Sequence, residues 1–119
     1  MSSEQIDVWN AVVAEAWVEH ADHFDRTLQP FGEAVLDRLA LGPGDRVLDV
    51  GCGTGATTLR AAALVAPARV VGVDVSAPML AAARRRVGAT GVTNAEFVEQ
   101  DVQESAFAAG EFDVAFSRF

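Results

Sequence analysis

Apolar residues recur along the chain with two different periods, and the change of period organises it. From residue 7 to 20, Trp9, Val12, Val13, Ala16 and Trp17 return at three- and four-residue spacing, with Glu15 and Glu19 on the other side. That is the pattern of an amphipathic helix. Phe31 to Leu41 predicts a second helix through Val35, Leu36 and Leu39, stopped by the breakers Gly42-Pro43-Gly44-Asp45. The pattern then shortens. Val47, Leu48 and Val50 form a brief apolar, β-prone run, as do Val70-Val71-Gly72-Val73 before Asp74. Such runs suit strands buried on both faces. Ala95 to Gln100 alternates as a third strand ending at Asp101, and Phe112 to Phe116 reads as a fourth. Between strands, Ala56–Ala66 predicts a helix that ends before Pro67. A third segment, capped by Ser76 with Pro78 in its first turn, runs to about Val87, with Gly88 and Gly91 at its exit.

Two helices followed by β-α-β-α-β-β predict an α/β fold with a parallel sheet and right-handed crossovers. No internal repeat or low-complexity tract interrupts it. The chemistry gathers where the first strand breaks into Gly51-Cys52-Gly53-Thr54-Gly55 and a helix follows. Strand, glycine turn and helix form the entry to a nucleotide-type site, because glycines let a ligand approach the backbone.

Carboxylates discriminate between ligands. Asp49 lies two residues before Gly51, where a pyrophosphate would be repelled and a cation welcomed. Asp74 closes the next strand nineteen residues after Gly55, the place from which a carboxylate accepts bonds from ribose hydroxyls. A cap on the following helix is the bland alternative for Asp74, and its position after an apolar strand at this spacing from the glycines favours the ribose role over it. S-adenosylmethionine is a cationic, phosphate-free adenosine ligand. With that, Val47-Leu48-Asp49-Val50-Gly51-Cys52-Gly53-Thr54-Gly55 resembles the first motif of class I S-adenosylmethionine-dependent methyltransferases.

The resemblance covers about residues 45 to 119. It implies a Rossmann-like parallel sheet with flanking helices, of which this chain holds about four of the family's seven strands. The expectation is therefore a truncated unit, with an N-terminal helical cap over 1–44 and a cofactor-binding domain over 45–119. The resemblance implies cofactor contacts at Asp49, Gly51, Cys52, Gly53, Gly55, Asp74, Val75, Met79, Asp101, Val102 and Ser117. Among them, Asp101 would accept from the adenine amino group, the Val102 amide would meet a ring nitrogen, and Met79 would pack on the adenine face. Asp101 also reads simply as a turn aspartate, and Met79 as core. The family's fourth motif, in members acting on nucleobase amines, carries an acidic or amide residue, two prolines and an aromatic. Ser117-Arg118-Phe119 departs from it, which argues against a nucleic-acid base as acceptor. Trp9, Trp17, Phe24-Asp25 and Gly44 are similar to the quinone-biosynthesis members, and the N-terminal helix would then cover the cofactor, with Trp17 or Phe24 in reach of it. Two tryptophans on one helix also serve as core anchors.

Composition narrows the partners. The 119 residues carry a net charge of −8, with nine arginines and no lysine. Nine acidic residues against two arginines fall within 1–45. This disfavours a nucleic-acid partner, which needs a basic face. Arg84-Arg85-Arg86 reads as a solvated helix end. A single cysteine, Cys52, excludes an intrachain disulfide and a cysteine metal cluster, and inside the turn it reads as a packing residue. No metal site is expected. His20 and His23 could supply a general base, or stand in water at a helix end. No apolar run reaches a membrane-span length and no signal-peptide pattern opens the chain, so a cytoplasmic protein is expected.

Methyl transfer from a sulfonium is an in-line displacement, so the enzyme's task is to orient the acceptor and desolvate the pair. Two other readings stay open. Gly51-x-Gly53-x-x-Ala56 also fits the dinucleotide pattern of an NAD(P)-dependent oxidoreductase, and a non-catalytic cofactor-binding or interaction module needs no acceptor. An open, apolar fourth strand would favour pairing with a copy of the chain, as a homodimer, or with a separate completing chain.

Overall fold

Valine-rich runs become strands because branched side chains suit a pleated surface covered on both sides. The structure, a computed structural model, describes residues 21–101 and 110–117 together with Glu4 and Ile6. Strands β1 (Val47–Val50), β2 (Val70–Asp74), β3 (Ala95–Glu99) and β4 (Val114–Ser117) form one sheet in the order β3-β2-β1-β4. All three pairings are parallel. Val47 lies between Val70 and Val114, and Val50 between Val73 and Ser117. The described helices are α1 (Ala21–Leu39), α2 (Ala56–Val65) and α3 (Ala77–Thr90).

Alternation along each strand sends side chains to opposite faces. On one face Val47, Val70 and Phe116 meet Leu36 of α1 and Ala61, Ala62 and Val65 of α2. Ala61 and Ala62 have no accessible surface, and their small size lets α2 lie close against the sheet. Further along the same face, Phe97 packs with Cys52, Leu80 and Ala83 under α3. Leu48, Val71 and Val73 cluster on the opposite face with Val50, Val98 and Phe112. Each fully buried valine or leucine contributes about 1.5–3 kcal/mol by leaving water.

The expected α/β alternation is observed, with differences at element ends. The second predicted helix begins ten residues early, at Ala21, and runs through Pro30. Pro30 is exposed, where water can take the carbonyl that its missing N–H leaves unpaired. That helix stops at Leu39 rather than Leu41, because Ala40 turns left-handed at φ 49°. Helix α3 passes the expected stop at Val87 and continues to Thr90, whose Oγ1 donates to the Val87 carbonyl (3.0 Å); left-handed Gly91 ends it. Gly88 is therefore a helix residue. The helix expected over 7–20 lies outside the described residues.

The fourth strand begins at Val114 rather than Phe112, because Asp113 is engaged otherwise. Its carboxylate accepts from the Arg46 backbone N–H (2.9 Å), from Nε (3.2 Å) and from Nη2 (3.1 Å). The Asp113 N–H in turn donates to the Arg46 carbonyl (2.8 Å). This clamp fastens the start of β4 to the start of β1. Hydrogen bonding to Arg46 holds the Asp113 carboxyl below its ordinary range. A depressed folded-state value means that the clamp's contribution is complete above the unfolded carboxyl's pKa. It is lost as pH falls through the folded one. The difference in urea midpoint between the natural chain and Asp113→Asn should thus be largest near neutrality and shrink on acidification below about pH 4. A difference independent of pH would contradict this assignment.

Candidate cofactor site at the glycine turn

The chain runs β1, β2, β3 to one side, then returns to place β4 on the other side of β1. This reversal makes the carboxyl end of β1 the topological switch point, where open α/β sheets bind ligands. The glycine turn sits there. Gly51, Gly53 and Gly55 all adopt positive φ, at 70°, 56° and 89°. The N–H groups of Gly51 and Cys52 donate to the Val73 carbonyl (2.9 and 3.0 Å), so the turn is anchored on β2.

Gly55 precedes α2 as its N-cap and has no side chain to cap it. Asp49 supplies an equivalent tie from β1. It is 1% exposed, and its Oδ2 accepts from the hydroxyls of Thr57 (2.9 Å) and Thr58 (2.7 Å), the second and third residues of α2. A buried carboxylate is tolerated only when so partnered. The sequence reading offered Asp49 to a cationic ligand, whereas the structure aims this oxygen at the first turn of the helix. Thr57 and Thr58 were not singled out from sequence. The available signal was two hydroxyl residues opening a helix whose N-cap is glycine.

Asp74 ends β2 beside the turn. Its Oδ2 accepts from the Gly53 N–H (2.9 Å) and its Oδ1 from the Ser76 N–H (3.0 Å). Ser76 is the expected N-cap of α3, its Oγ accepting from the Met79 N–H (3.4 Å). Met79 is buried, and its Cε lies 3.5 Å from where a Cβ on Gly53 would stand. On Gly51, by contrast, a Cβ would meet nothing within 4 Å.

Cys52 is 1% exposed. Burial, with Asp49 and Asp74 adding to it, pushes its thiol up, so it stays protonated and unreactive at neutral pH. Its Sγ occupies the space that a side chain at residue 72 would need: a Cβ on Gly72 would lie 2.9 Å away. Any ligand contact from Cys52 would therefore come from its backbone. The Phe97 ring supports the turn from the same side, since a Cβ on Gly55 would fall 2.9 Å from its Cζ.

Asp101 lies just past β3, where the Gln100 N–H donates to the Asp74 carbonyl (2.9 Å). Val75 is half-buried between Asp74 and Ser76, and Ser117 is the exposed last residue of β4, beside Val50. The turn, Asp74, Val75, Met79, Asp101 and Ser117 thus all belong to the carboxyl ends of strands or the first turn of α3. Val102, Trp9, Trp17 and His20 lie outside the described residues. His23 and Phe24 fall within α1, but their side chains are not among those described.

A parallel sheet with a glycine turn at its switch point defines a Rossmann-like ligand-binding domain. Comparison with known proteins makes this more specific. The family described as methyltransferase domain matches residues 47–119. Malonyl-[acyl-carrier protein] O-methyltransferase of Legionella pneumophila is 33% identical over 114 residues, 91% of this chain and 39% of that protein. Demethylmenaquinone methyltransferase of Symbiobacterium thermophilum is 59% identical over 49 residues, 40% of this chain and 20% of that protein. Among solved structures, an S-adenosylmethionine-dependent methyltransferase from Aquifex aeolicus superposes with a TM-score of 0.65 at 28% identity, over 72% of this chain and 46% of that one. The chain belongs to the methyltransferase-domain family. It spans well under half the length of both curated relatives.

Two substitutions test the turn's supports. Thr58→Val keeps the shape but strips a hydroxyl from buried Asp49, and should cost about 1–3 kcal/mol in urea denaturation, with Thr58→Ser recovering most of it. Gly55→Ala must adopt an αL backbone, costing roughly 1–3 kcal/mol, and also press on Phe97. It should be clearly more damaging than Gly53→Ala, whose nearest neighbour stands at ordinary contact distance. Equal losses at the two glycines would contradict the role given to Phe97.

Proposed function

We propose that this chain is the S-adenosylmethionine-binding part of a methyltransferase acting on a small-molecule acceptor. One observation carries the reading: the carboxylates gathered at the carboxyl end of the sheet beside the glycine turn. The arginines at the amino ends of β1 and β2 are paired with carboxylates there, Arg46 with Asp113 (3.1 Å) and Arg69 with Glu96 (2.9 Å). Asp74, Glu99 and Asp101 stand at or just past the carboxyl ends of β2 and β3, beside a turn whose glycines carry no Cβ. A phosphate-bearing dinucleotide would meet carboxylates there, while a sulfonium and an ammonium would meet complementary charge. This favours the methyl donor over NAD(P), although the glycine spacing fits both.

In this reading Asp74 accepts from the ribose hydroxyls. A carboxylate offers about four lone-pair sites, so its two backbone donors leave capacity for two hydroxyls. Met79 and Asp101 take the adenine, and the backbone of Gly51 to Gly55 meets the amino-acid end. Bound S-adenosylmethionine supplies an electrophilic methyl group whose departure needs no proton from the protein. The chain's own residues bind and orient it, and the glycine turn keeps side chains out of its path.

The relatives' names include acceptors as different as a malonyl carrier protein and demethylmenaquinone, so the support extends to a methyltransferase and not to a particular acceptor. The acidic balance supports a non-nucleic-acid acceptor. Among the described residues no helix is long and apolar enough to cross a membrane, and the location we propose is the cytoplasm. Strand β4 is the outer strand of the described sheet on that side, and a homodimer would pair through it.

Isothermal titration of the chain with S-adenosylhomocysteine, S-adenosylmethionine and NADH tests the assignment. Saturable heat is expected with the first two and none with NADH. Binding of NADH without binding of either sulfur ligand would reverse it.

A further inference from the structure

The four amides at the heart of the glycine turn do not share one kind of acceptor. Those of Gly51, Cys52 and Gly55 donate to backbone carbonyls, as the chain's path dictates. The Gly53 N–H donates to a side chain, Asp74 Oδ2, at 2.9 Å and twenty-one residues further on. The other oxygen of that carboxylate holds the Ser76 N–H, Ser76 holds the Met79 N–H, and the Met79 Cε lies 3.5 Å from where a Cβ on Gly53 would stand. Gly53, Asp74, Ser76 and Met79 thus form a ring of neighbours. Ser76 is 1% and Met79 4% exposed, so little water competes with the ring's far side.

We infer that Asp74 is a positioning residue for the glycine turn, in addition to the ribose contact proposed above. Its charge-assisted bond fixes the Gly53 peptide before any ligand arrives. Removing it loosens the part of the site that meets the amino-acid end of the donor, some distance from the ribose itself. A residue that only binds ribose would affect only ligands with ribose hydroxyls. A residue that also shapes the turn affects ligands without them.

The ribose half of this inference rests on the cofactor reading; the turn half does not, and the experiment separates them. In the ligand-free protein, Asp74→Ala should raise the deuterium-exchange rate of the Gly53 amide at least about fivefold, as expected for loss of a hydrogen bond to a charged group. The Gly51 and Cys52 amides, held by the Val73 carbonyl, should change less. By calorimetry the same variant should weaken both S-adenosylhomocysteine and its 2′,3′-dideoxy analogue. An unchanged Gly53 exchange rate, or an unchanged affinity for the dideoxy analogue beside a loss for the parent ligand, overturns the inference. If Asp74→Ala does not fold, the unsubstituted protein decides. A scalar coupling across the hydrogen bond, from the Gly53 nitrogen to the Asp74 carboxylate carbon, is expected, and its absence overturns the inference. Failure of the unsubstituted protein to bind either ligand would overturn the cofactor reading, and the Gly53 exchange rate would still decide the role of Asp74 in the turn.

Discussion

The buried contact between Asp49 and the hydroxyls of Thr57 and Thr58 is the constraint on which the site depends. A carboxylate that is 1% exposed cannot be left without donors, so β1 and the first turn of α2 must keep a fixed separation. The glycine turn spans that separation. Its left-handed residues have no conformational preference strong enough to hold it, and its order comes from the elements at its two ends. The site is made by joining two regular elements tightly and leaving the peptide between them without side chains.

Packing beneath the turn follows from the same requirement. Phe97 and Cys52 fill the space under it, and this explains a glycine inside β2: residue 72 yields its Cβ volume to them. A glycine in a strand interior is a local loss, repaid here by letting two neighbours lie flush. The space beneath the turn at the site end of the sheet is thereby filled.

Much of this was legible in the amino-acid order. Four apolar strands and the helices between them appeared because period and punctuation agreed at Val47–Val50, Val70–Asp74 and Ser76. Asp74 stood out by its distance from the glycines. What escaped depended on partners distant in sequence. The run of α1 through Pro30 escaped because a proline's cost depends on whether water reaches the freed carbonyl, which no local pattern encodes. The start of β4 was misjudged because Asp113 answers to Arg46, sixty-seven residues away. Thr57 and Thr58 looked like ordinary helix residues, since only the fold brings a carboxylate of β1 above them. The orientation of Asp49 escaped for the same reason: a charge near a ligand motif invites a ligand role until its donors are seen.

The Arg46–Asp113 clamp has a kinetic side. Strands β1, β2 and β3 join through short crossovers, but β4 must find β1 across the whole intervening chain, the longest loop closure in the sheet. With four residues and Phe116 as its one buried side chain, β4 has little hydrophobic pattern to choose its alignment. A paired arginine and aspartate at its leading end select one alignment out of several nearly equivalent ones. The pair thus holds together the leading ends of two strands that lie far apart along the chain.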